Sequence, residues 1–230
     1  MKRTLVIILF LIFYIPGFSQ SNISGKIIYK ANLKPIDISK ITENKKLTNK
    51  TKQLLLSISN NAKDVAFKLK FNAEASLYKV ISGMNSDAEP KLNLTKSVAG
   101  SDNIYYTNIP SKIFFYQTNG DDQLLNISYK PIKWSMTQET KKIGNYLCYK
   151  AVFENTEAWF APTISVNFGP KKYNGLPGLI LEVKKGGLSI KATKITLNPK
   201  KKVVIKKPKS AKTITEEEYY KNFNKMFKGF

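Results

Sequence analysis

The run Tyr173-Asn174-Gly175-Leu176-Pro177-Gly178-Leu179-Ile180-Leu181-Glu182-Val183, which the chain enters through Gly169-Pro170, organises this sequence. Three glycines and two prolines stand directly before residues with the composition of a β-strand. Glycine and proline at these positions predict a fixed turn, and the apolar residues after them predict a buried strand. A phosphate-binding loop is not indicated, because Pro177 removes a backbone donor and no Lys-Ser/Thr pair or helix start follows.

Strand-like segments surround this turn along most of the chain. Apolar and polar residues alternate in many short runs that are separated by turn residues such as Asn119-Gly120. The predicted strands are 22–32, 65–71, a second hairpin arm through Leu77 and Val80, 104–107, 113–118, 123–129, 132–137, 146–153, 158–161, 164–168, 179–183 and 188–195. Short connections between so many strands predict a mainly β (α+β) fold with a meandering antiparallel sheet, curved or half-barrel in shape.

Two helices are predicted beside this sheet. The segment 51–63 has apolar residues at helical spacing, which predicts an amphipathic helix that covers the sheet. Those apolar residues are Leu54, Leu55, Ile58 and Ala62. Near the end of the chain, Thr215 and Glu218 have the spacing of a capping box, which predicts a short C-terminal helix. The polar connection 83–100 is expected to be a loop over one end of the sheet.

The first nineteen residues have the pattern of a secretory signal peptide. Lys2 and Arg3 form a basic start, 5–15 is an unbroken apolar run, and small residues favour cleavage between Ser19 and Gln20. The alternative is a transmembrane anchor, but eleven apolar residues are fewer than the roughly 20 that span a bilayer. We therefore expect an exported protein, periplasmic or extracellular, that is not an integral membrane protein.

The remaining chain is long enough for one domain and a tail. Hydrophobic residues make up 42% of the sequence and aromatic residues 12%, which is enough to fill a core. We predict a signal peptide at 1–19, a β-rich domain at 20–199, and a lysine-rich tail with the C-terminal helix at 200–230. Lysines on both sides of Val203-Val204-Ile205, with Pro208 barring a helix, indicate either an edge strand or a solvated tail.

The residue types that the chain lacks narrow its chemistry. It has no histidine and one cysteine, which excludes Ser-His-Asp and Cys-His catalysis, histidine-based zinc sites and an internal disulfide. Carboxylate pairs and Ser-Lys arrangements remain open. Cys148 lies in strand-like sequence, which indicates a buried, inert thiol; the alternative, a metal-binding or reactive thiol, has no nearby partners in sequence. We expect no metal, no cofactor and no recognisable catalytic residue.

The strong positive charge raises the question of an anionic partner. Lysine and arginine number 38 against 16 acidic residues, for a net charge of +22. Arg3 is the only arginine, whereas nucleic-acid recognition draws heavily on the bidentate guanidinium group. We therefore expect no nucleic-acid partner. The lysine content also fits compositional drift of an AT-rich coding sequence, and weak attraction to an anionic envelope surface, such as a lipopolysaccharide leaflet, is the remaining interpretation.

An ordered series of short motifs leads up to the glycine-proline turn. They are Lys133-Trp134, Glu139-Thr140-Lys141, Gly144-Asn145-Tyr146-Leu147-Cys148, Lys150-Ala151, Ala158-Trp159-Phe160-Ala161-Pro162, Phe168-Gly169-Pro170 and the hexapeptide Gly175 to Ile180. In this series, specific from 133 to 183 and weaker over 25–199, the chain resembles the GLPGLI family of secreted Bacteroidetes proteins. The resemblance implies a signal peptide and outer-membrane transport components of TonB-dependent systems as partners, and it implies no catalytic or binding residue.

The aromatic residues nearest the turn are candidates for a ligand platform, because aromatic groups beside a glycine-rich turn can line a site. They are Trp134, Trp159, Phe160 and Tyr173. The alternative is that they fill the core while the turn sets backbone angles that other residues resist. The residues of this structural motif are Gly169, Pro170, Gly175, Leu176, Pro177 and Gly178.

Three classes of function remain open. The first is a secreted or periplasmic non-enzymatic binding or accessory protein of the envelope, whose curved sheet holds a hydrophobic ligand under the helix 51–63. The second is a hydrolase that uses carboxylates, for which the candidates are Glu139, Glu154, Glu157 and Glu182. The third is a structural envelope protein that associates through its final helix.

Overall fold

The computed structural model describes residues 23–34, 39, 42–43, 47–81, 93–120 and 123–227. The predicted signal peptide and its cleavage site lie outside these residues. Within the described ranges, none of the helices combines the length and the apolar composition that a membrane crossing requires.

The described chain builds one sheet of twelve strands. The strands are β1 (Gly25–Leu33), β2 (Val65–Phe71), β3 (Ala75–Val80), β4 (Ile104–Asn108), β5 (Ile113–Asn119), β6 (Leu124–Ser128), β7 (Ser135–Ile143), β8 (Tyr146–Phe153), β9 (Thr156–Ala161), β10 (Leu179–Lys185), β11 (Leu188–Leu197) and β12 (Lys212–Thr215). Their spatial order is β12-β6-β5-β4-β3-β2-β1-β11-β10-β9-β8-β7. The predicted mainly β fold is confirmed, and the pairing of β10 with β11 across a short turn is as expected.

The sheet is mixed rather than antiparallel throughout. Every other neighbouring pair is antiparallel, but β12 runs parallel to β6, with Lys212 opposite Leu125 and Thr215 opposite Ser128. A parallel partner has to return over a long connection, and here the chain runs from β6 through β7 to β11 and then along the lysine-rich tail before it reaches β12. The segment 200–211, for which an edge strand or a solvated tail was predicted, forms no strand, and Val203 is buried while Ile205 packs against the sheet. The edge strand β12 begins only at Lys212. The domain bounds 20–199 and 200–230 stay a prediction.

Three helices accompany the sheet in the described chain: α1 (Asn49–Asn60), α2 (Leu94–Ala99) and α3 (Glu216–Phe227). The predicted helix at 51–63 is present as α1, and it begins earlier because the Thr48 side chain caps it through the amide of Thr51. Leu54, which belongs to the apolar face predicted to cover the sheet, is 58% exposed. The short helix that packs on β1 and β11 is α2, which lies in the segment predicted to be a loop.

The sequence predicted a loop where α2 lies, because six residues are too few to show a helical period. Its burial depends on Ala99, which is fully buried and whose carbonyl oxygen accepts a hydrogen bond from the Tyr78 hydroxyl at 3.3 Å. A small residue allows this close approach of helix to sheet. The position of α2 therefore depends on contacts with β1, β3 and β11, which no pattern within its own six residues records.

Two of the predicted strands differ from the structure: one begins later than expected, and the other is absent. Residues 132–134 are irregular, and β7 begins only at Ser135. Residues 164–168 form no strand, although Ile164, Val166 and Phe168 are all buried. Their backbone instead bonds to the start of β10, since the Ile164 carbonyl accepts from the Leu179 amide at 3.0 Å. Buried and exposed residues alternate here in an irregular segment that packs on the sheet. The spacing of apolar residues in the sequence does not distinguish such a segment from a strand.

The main core covers one face of the sheet. Aromatic residues of adjacent strands pack there, with the rings of Phe67 and Tyr78 stacked at 5.1 Å between centroids. The Tyr29 hydroxyl, fully buried, donates to the carbonyl of Ile180 at 2.6 Å. This bond ties the central strand β1 to the beginning of β10, where the glycine-proline turn ends.

Candidate functional site

The glycine-proline turn lies flat against strands β9 and β10. A Cβ built on Gly178 would overlap the backbone of Ala161, and one built on Gly169 would lie 2.6 Å from the Tyr173 carbonyl oxygen. Both positions therefore require glycine because another backbone segment approaches them closely. Within the turn, the Asn167 side-chain amide donates to the Leu176 carbonyl at 2.9 Å.

The six residues predicted as a structural motif occupy this one turn, and they differ in exposure. Gly169, Pro170, Leu176 and Gly178 are buried, whereas Gly175 and Pro177 are exposed. Leu176 inserts between the turn and the sheet, in a second apolar layer on the face opposite the main core. The turn thus forms a cover for β8, β9 and β10.

The structure brings together three of the four aromatic candidates. Trp134, Phe160 and Tyr173 belong to the second apolar layer, and the ring centroids of Trp134 and Tyr173 lie 6.2 Å apart. The Trp134 indole N–H donates to the Asn174 carbonyl at 2.8 Å, so it fastens the turn to the segment before β7. These rings hold the turn in place.

Trp159 lies on the opposite face, in the main core. The Lys141 ammonium group is 4.0 Å from the centroid of its ring, and the same group forms an ion pair with the buried Glu182. The indole N–H of Trp159 is buried and finds no acceptor within the described part of the chain. Trp159 and Tyr173 therefore face different layers.

A cleft of about 760 Å³ opens beside the turn. It lies between the segment 128–133, the β8–β9 turn, the start of the glycine-proline turn and the first residues of α3. Its lining comprises Ser128, Tyr129, Lys130, Pro131, Ile132, Lys133, Phe153, Glu154, Thr156, Lys172, Tyr173, Lys185, Thr215, Glu216, Glu217 and Tyr220. Tyr173 is the aromatic candidate that reaches this lining; Trp134, Trp159 and Phe160 are not part of it.

Both charge signs line the cleft. The Lys172 ammonium group contacts the two carboxylate oxygens of Glu216 at 2.6 and 2.8 Å, which holds the start of α3 against the turn. The Thr215 hydroxyl accepts from the Glu218 amide at 3.1 Å, as the predicted capping box requires. Burial raises the pKa of the Tyr173 phenol, and the nearby charge of Glu216 adds to this, whereas the Thr156 side chain opposes it. Tyr173 is therefore a neutral hydroxyl at neutral pH.

Close to Tyr173, a hydrogen bond joins the turn to helix α2. The Lys171 ammonium group donates to the Val98 carbonyl of α2 at 2.7 Å. Burial, together with repulsion from Lys172 and Lys185, lowers the pKa of Lys171 to about 8, against the opposing charge of Glu216. Lys171 and Lys172 from the turn and Lys185 from the end of β10 thus converge near the cleft.

The four carboxylates considered for hydrolysis are dispersed. Glu154 lines the cleft, whereas Glu139 and Glu157 flank Lys150 at 3.0 and 3.6 Å. Glu182 is buried and paired with Lys141. Across the described residues there is no cluster of three or more possible metal ligands.

Cys148 is buried, as predicted. Burial raises the pKa of its thiol to about 11, against the opposing charge of Lys141. A thiol with so high a pKa is protonated at neutral pH and therefore a poor nucleophile.

Several cleft residues were not expected from the sequence. Lys172, Lys185, Glu216 and Tyr220 lie on three separate segments that only the fold brings together. The capping box at Thr215 indicated a helix start, but it carried no information about what that start would face.

Comparisons with known proteins agree with this picture of the fold. Residues 153–182, from the end of β8 into β10, match the family described as "Protein of unknown function (Porph_ging)". No curated protein sequence matches this chain.

Two solved structures have a similar fold. "Structure of PNGF-II in P21 space group" has a TM-score of 0.54 and 16% identity, covering 86% of this chain and 33% of that one. "Structure of PNGF-II in C2 space group" has a TM-score of 0.52 and 13% identity, with coverage of 86% and 32%. The chain spans about a third of the length of these structures. Residues 153–182 are thus similar to Porph_ging, and the likeness to PNGF-II is one of β-rich fold.

Proposed function

We propose that this chain is an exported, non-enzymatic binding or accessory protein of the cell envelope, and that its ligand occupies the cleft beside Tyr173. The observation that supports this proposal is the cleft itself, a concave space of about 760 Å³ next to the glycine-proline turn. The motif series also supports membership in the GLPGLI family. From that resemblance we infer a role beside TonB-dependent outer-membrane transport.

The lining favours a ligand with an apolar part and charges of both signs. Tyr173, Phe153 and Tyr220 offer aromatic surface, whereas Lys185 and Glu217 carry opposite charges at the rim. Aromatic residues provide contact area at a small entropic cost, and charged groups at the rim fix the orientation of the ligand. Short peptides and charged oligosaccharides have this character.

Binding can be tested by thermal unfolding with a panel of tripeptides and acidic or amino-substituted oligosaccharides. A ligand present at about 100 times its Kd adds roughly 2.7 kcal/mol to the free energy of unfolding. In a chain of this size that raises the Tm by roughly 5 to 10 °C.

The Lys185→Gln and Tyr220→Ala variants should lose this rise, because both side chains line the cleft. Lys112→Gln is the matched control, since Lys112 is an exposed lysine in the β4–β5 turn. The proposal fails if no compound stabilises the wild type, or if the cleft variants respond like the control.

A hydrolase is the second candidate, because Glu154 and Glu217 line the same cleft. Two carboxylates at one site are able to act as general acid and base. A panel of esterase, glycosidase and peptidase substrates would detect turnover. Turnover that disappears in Glu154→Gln but persists in the surface control Glu74→Gln would favour the hydrolase over the binding protein.

A further inference from the structure

A second surface, on strands β11, β1, β2 and β3, concentrates positive charge. Three pairs of lysines lie directly opposite one another across neighbouring strands: Lys26 and Lys70, Lys68 and Lys79, and Lys30 and Lys191. Residues that are opposite in a ladder share a face, as do alternate residues along a strand. The lysines on this face of β11, β1, β2 and β3 are Lys26, Lys30, Lys68, Lys70, Lys79, Lys191 and Lys194. We call them the lysine face.

The lysine face has few compensating carboxylates: Glu182 lies opposite Lys191 in the β10–β11 ladder, but its carboxylate pairs with Lys141. In the described part of the chain, Asp64 alone pairs with it, through a contact with Lys30 at 2.6 Å. Like charges directly opposite in a sheet destabilise it. An anion bound across these pairs would remove the repulsion, and so the face favours anionic partners.

An apolar groove crosses this face at β2 and β3. It has a volume of about 260 Å³ and is lined by Lys68, Lys70, Leu77, Lys79, Val204, Ile205 and Lys206. The lysine-rich tail forms one wall, and its position is fixed because Val203 is buried and Ile205 packs near Tyr106. Val204, between them, is 60% exposed. An exposed valine among four lysines offers apolar contact and charge together.

We propose that this groove binds an anionic lipid at a membrane surface, with the headgroup phosphate among Lys68, Lys70 and Lys79 and the upper acyl chain against Leu77 and Val204. Lysine stems lie along apolar surface while their ammonium groups reach toward headgroups, which suits this arrangement. A nucleic acid or an acidic polysaccharide would use the charges but would leave the apolar contact unused. The groove shares no lining residue with the Tyr173 cleft, so this inference goes beyond the proposed ligand binding and does not depend on it.

Vesicle co-sedimentation tests this proposal with the full chain. The probes are vesicles of phosphatidylcholine alone and vesicles of phosphatidylcholine with phosphatidylglycerol. The triple variant Lys68→Gln, Lys70→Gln, Lys79→Gln should bind the anionic vesicles about a hundredfold more weakly, because each lysine near an anionic leaflet contributes about a fivefold factor. The matched control is Lys112→Gln, Lys142→Gln, Lys221→Gln, which removes the same charge from exposed lysines elsewhere.

A second variant separates lipid binding from general attraction to polyanions. Val204→Asn should weaken binding to the anionic vesicles severalfold, whereas Leu147→Asn, at another exposed apolar residue, should not. Near-ultraviolet circular dichroism of each variant checks the fold. Phosphatidylcholine vesicles measure any binding through the apolar run at 5–15, which is common to all variants.

Three results would overturn the proposal. The first is equal binding of the wild type to neutral and anionic vesicles, and the second is an equal loss in the two triple variants. The third is unchanged vesicle binding of Val204→Asn together with tight binding of the wild type to soluble polyphosphate or an acidic polysaccharide. That last outcome would assign the lysine face to a polyanion.

Discussion

Replacement of Gly178 by alanine is the sharpest test of how the glycine-proline turn works. The new Cβ would overlap the carbonyl oxygen of Ala161 and would lie 2.7 Å from its carbonyl carbon and 2.8 Å from the Pro162 Cα. All of these are backbone atoms at the end of β9, so no flexible side chain is able to move aside. The φ angle of Gly178 is +156°, which L-residues rarely adopt.

The expected cost follows from these two effects. Forcing an extra carbon into a packed site costs about 1 to 3 kcal/mol, and holding a residue in a sparsely populated backbone region costs about as much again. Gly178→Ala should therefore lower the free energy of unfolding by roughly 2 to 6 kcal/mol. For a chain of this size the Tm falls by roughly 2 to 4 °C for each kcal/mol.

Gly144→Ala is the matched control. Gly144 has a φ of +57° in the β7–β8 turn, and a Cβ built there meets nothing within 4 Å. This variant pays only the backbone cost of about 1 to 2 kcal/mol. Urea unfolding followed by tryptophan fluorescence measures both variants. If Gly178→Ala is no less stable than Gly144→Ala, close backbone approach is not the reason for glycine in this turn.

Three further predictions concern groups beside the turn. Lys141→Ala should destabilise the protein by roughly 2 to 4 kcal/mol, because it leaves Glu182, whose side chain is 5% exposed, without its nearest cation. The double variant Lys141→Ala, Glu182→Gln should cost less free energy of unfolding than the sum of the two single variants. Additive unfolding energies would refute this coupling. Trp134→Phe should cost about 1 to 3 kcal/mol, since it leaves the Asn174 carbonyl without its 2.8 Å donor; an unchanged urea midpoint would contradict this. The pKa of Cys148 is raised to about 11, so in the folded protein it should react with iodoacetamide at pH 8 far more slowly than a free thiol. Mass spectrometry measures the labelling, which should become fast once urea unfolds the chain. Fast labelling of the folded protein would contradict the prediction.

Much of the sheet was predictable from local patterns. The hairpin of β10 and β11 and the strand β9 follow from alternation and turn residues, which are properties of adjacent residues. The segment 164–168 shows the limit of this reasoning. Its apolar residues alternate because it packs irregularly beneath the turn, and its hydrogen bonds go to Leu179 and Ile180 rather than along a ladder.

The candidate site was less predictable. Tyr173 was named because it stands beside the turn, and it does line the cleft. Trp159 and Phe160 are adjacent in sequence, but in a strand successive side chains point to opposite faces, so they enter different layers. Lys172 and Glu216 meet across a sequence separation of 44 residues.

By itself the sequence determined that the chain is mainly β, that catalysis and metal binding by histidine are excluded, and that a buried strand follows the glycine-proline turn. These conclusions rest on composition and on short periods, which need no knowledge of distant contacts. Only the tertiary structure decided that α2 covers the sheet, that the tail returns parallel to β6, and where the cleft opens. The same is true of the lysine face, because like charges come to lie opposite one another through the register of four strands. Register depends on packing across the whole sheet, and no local pattern records it.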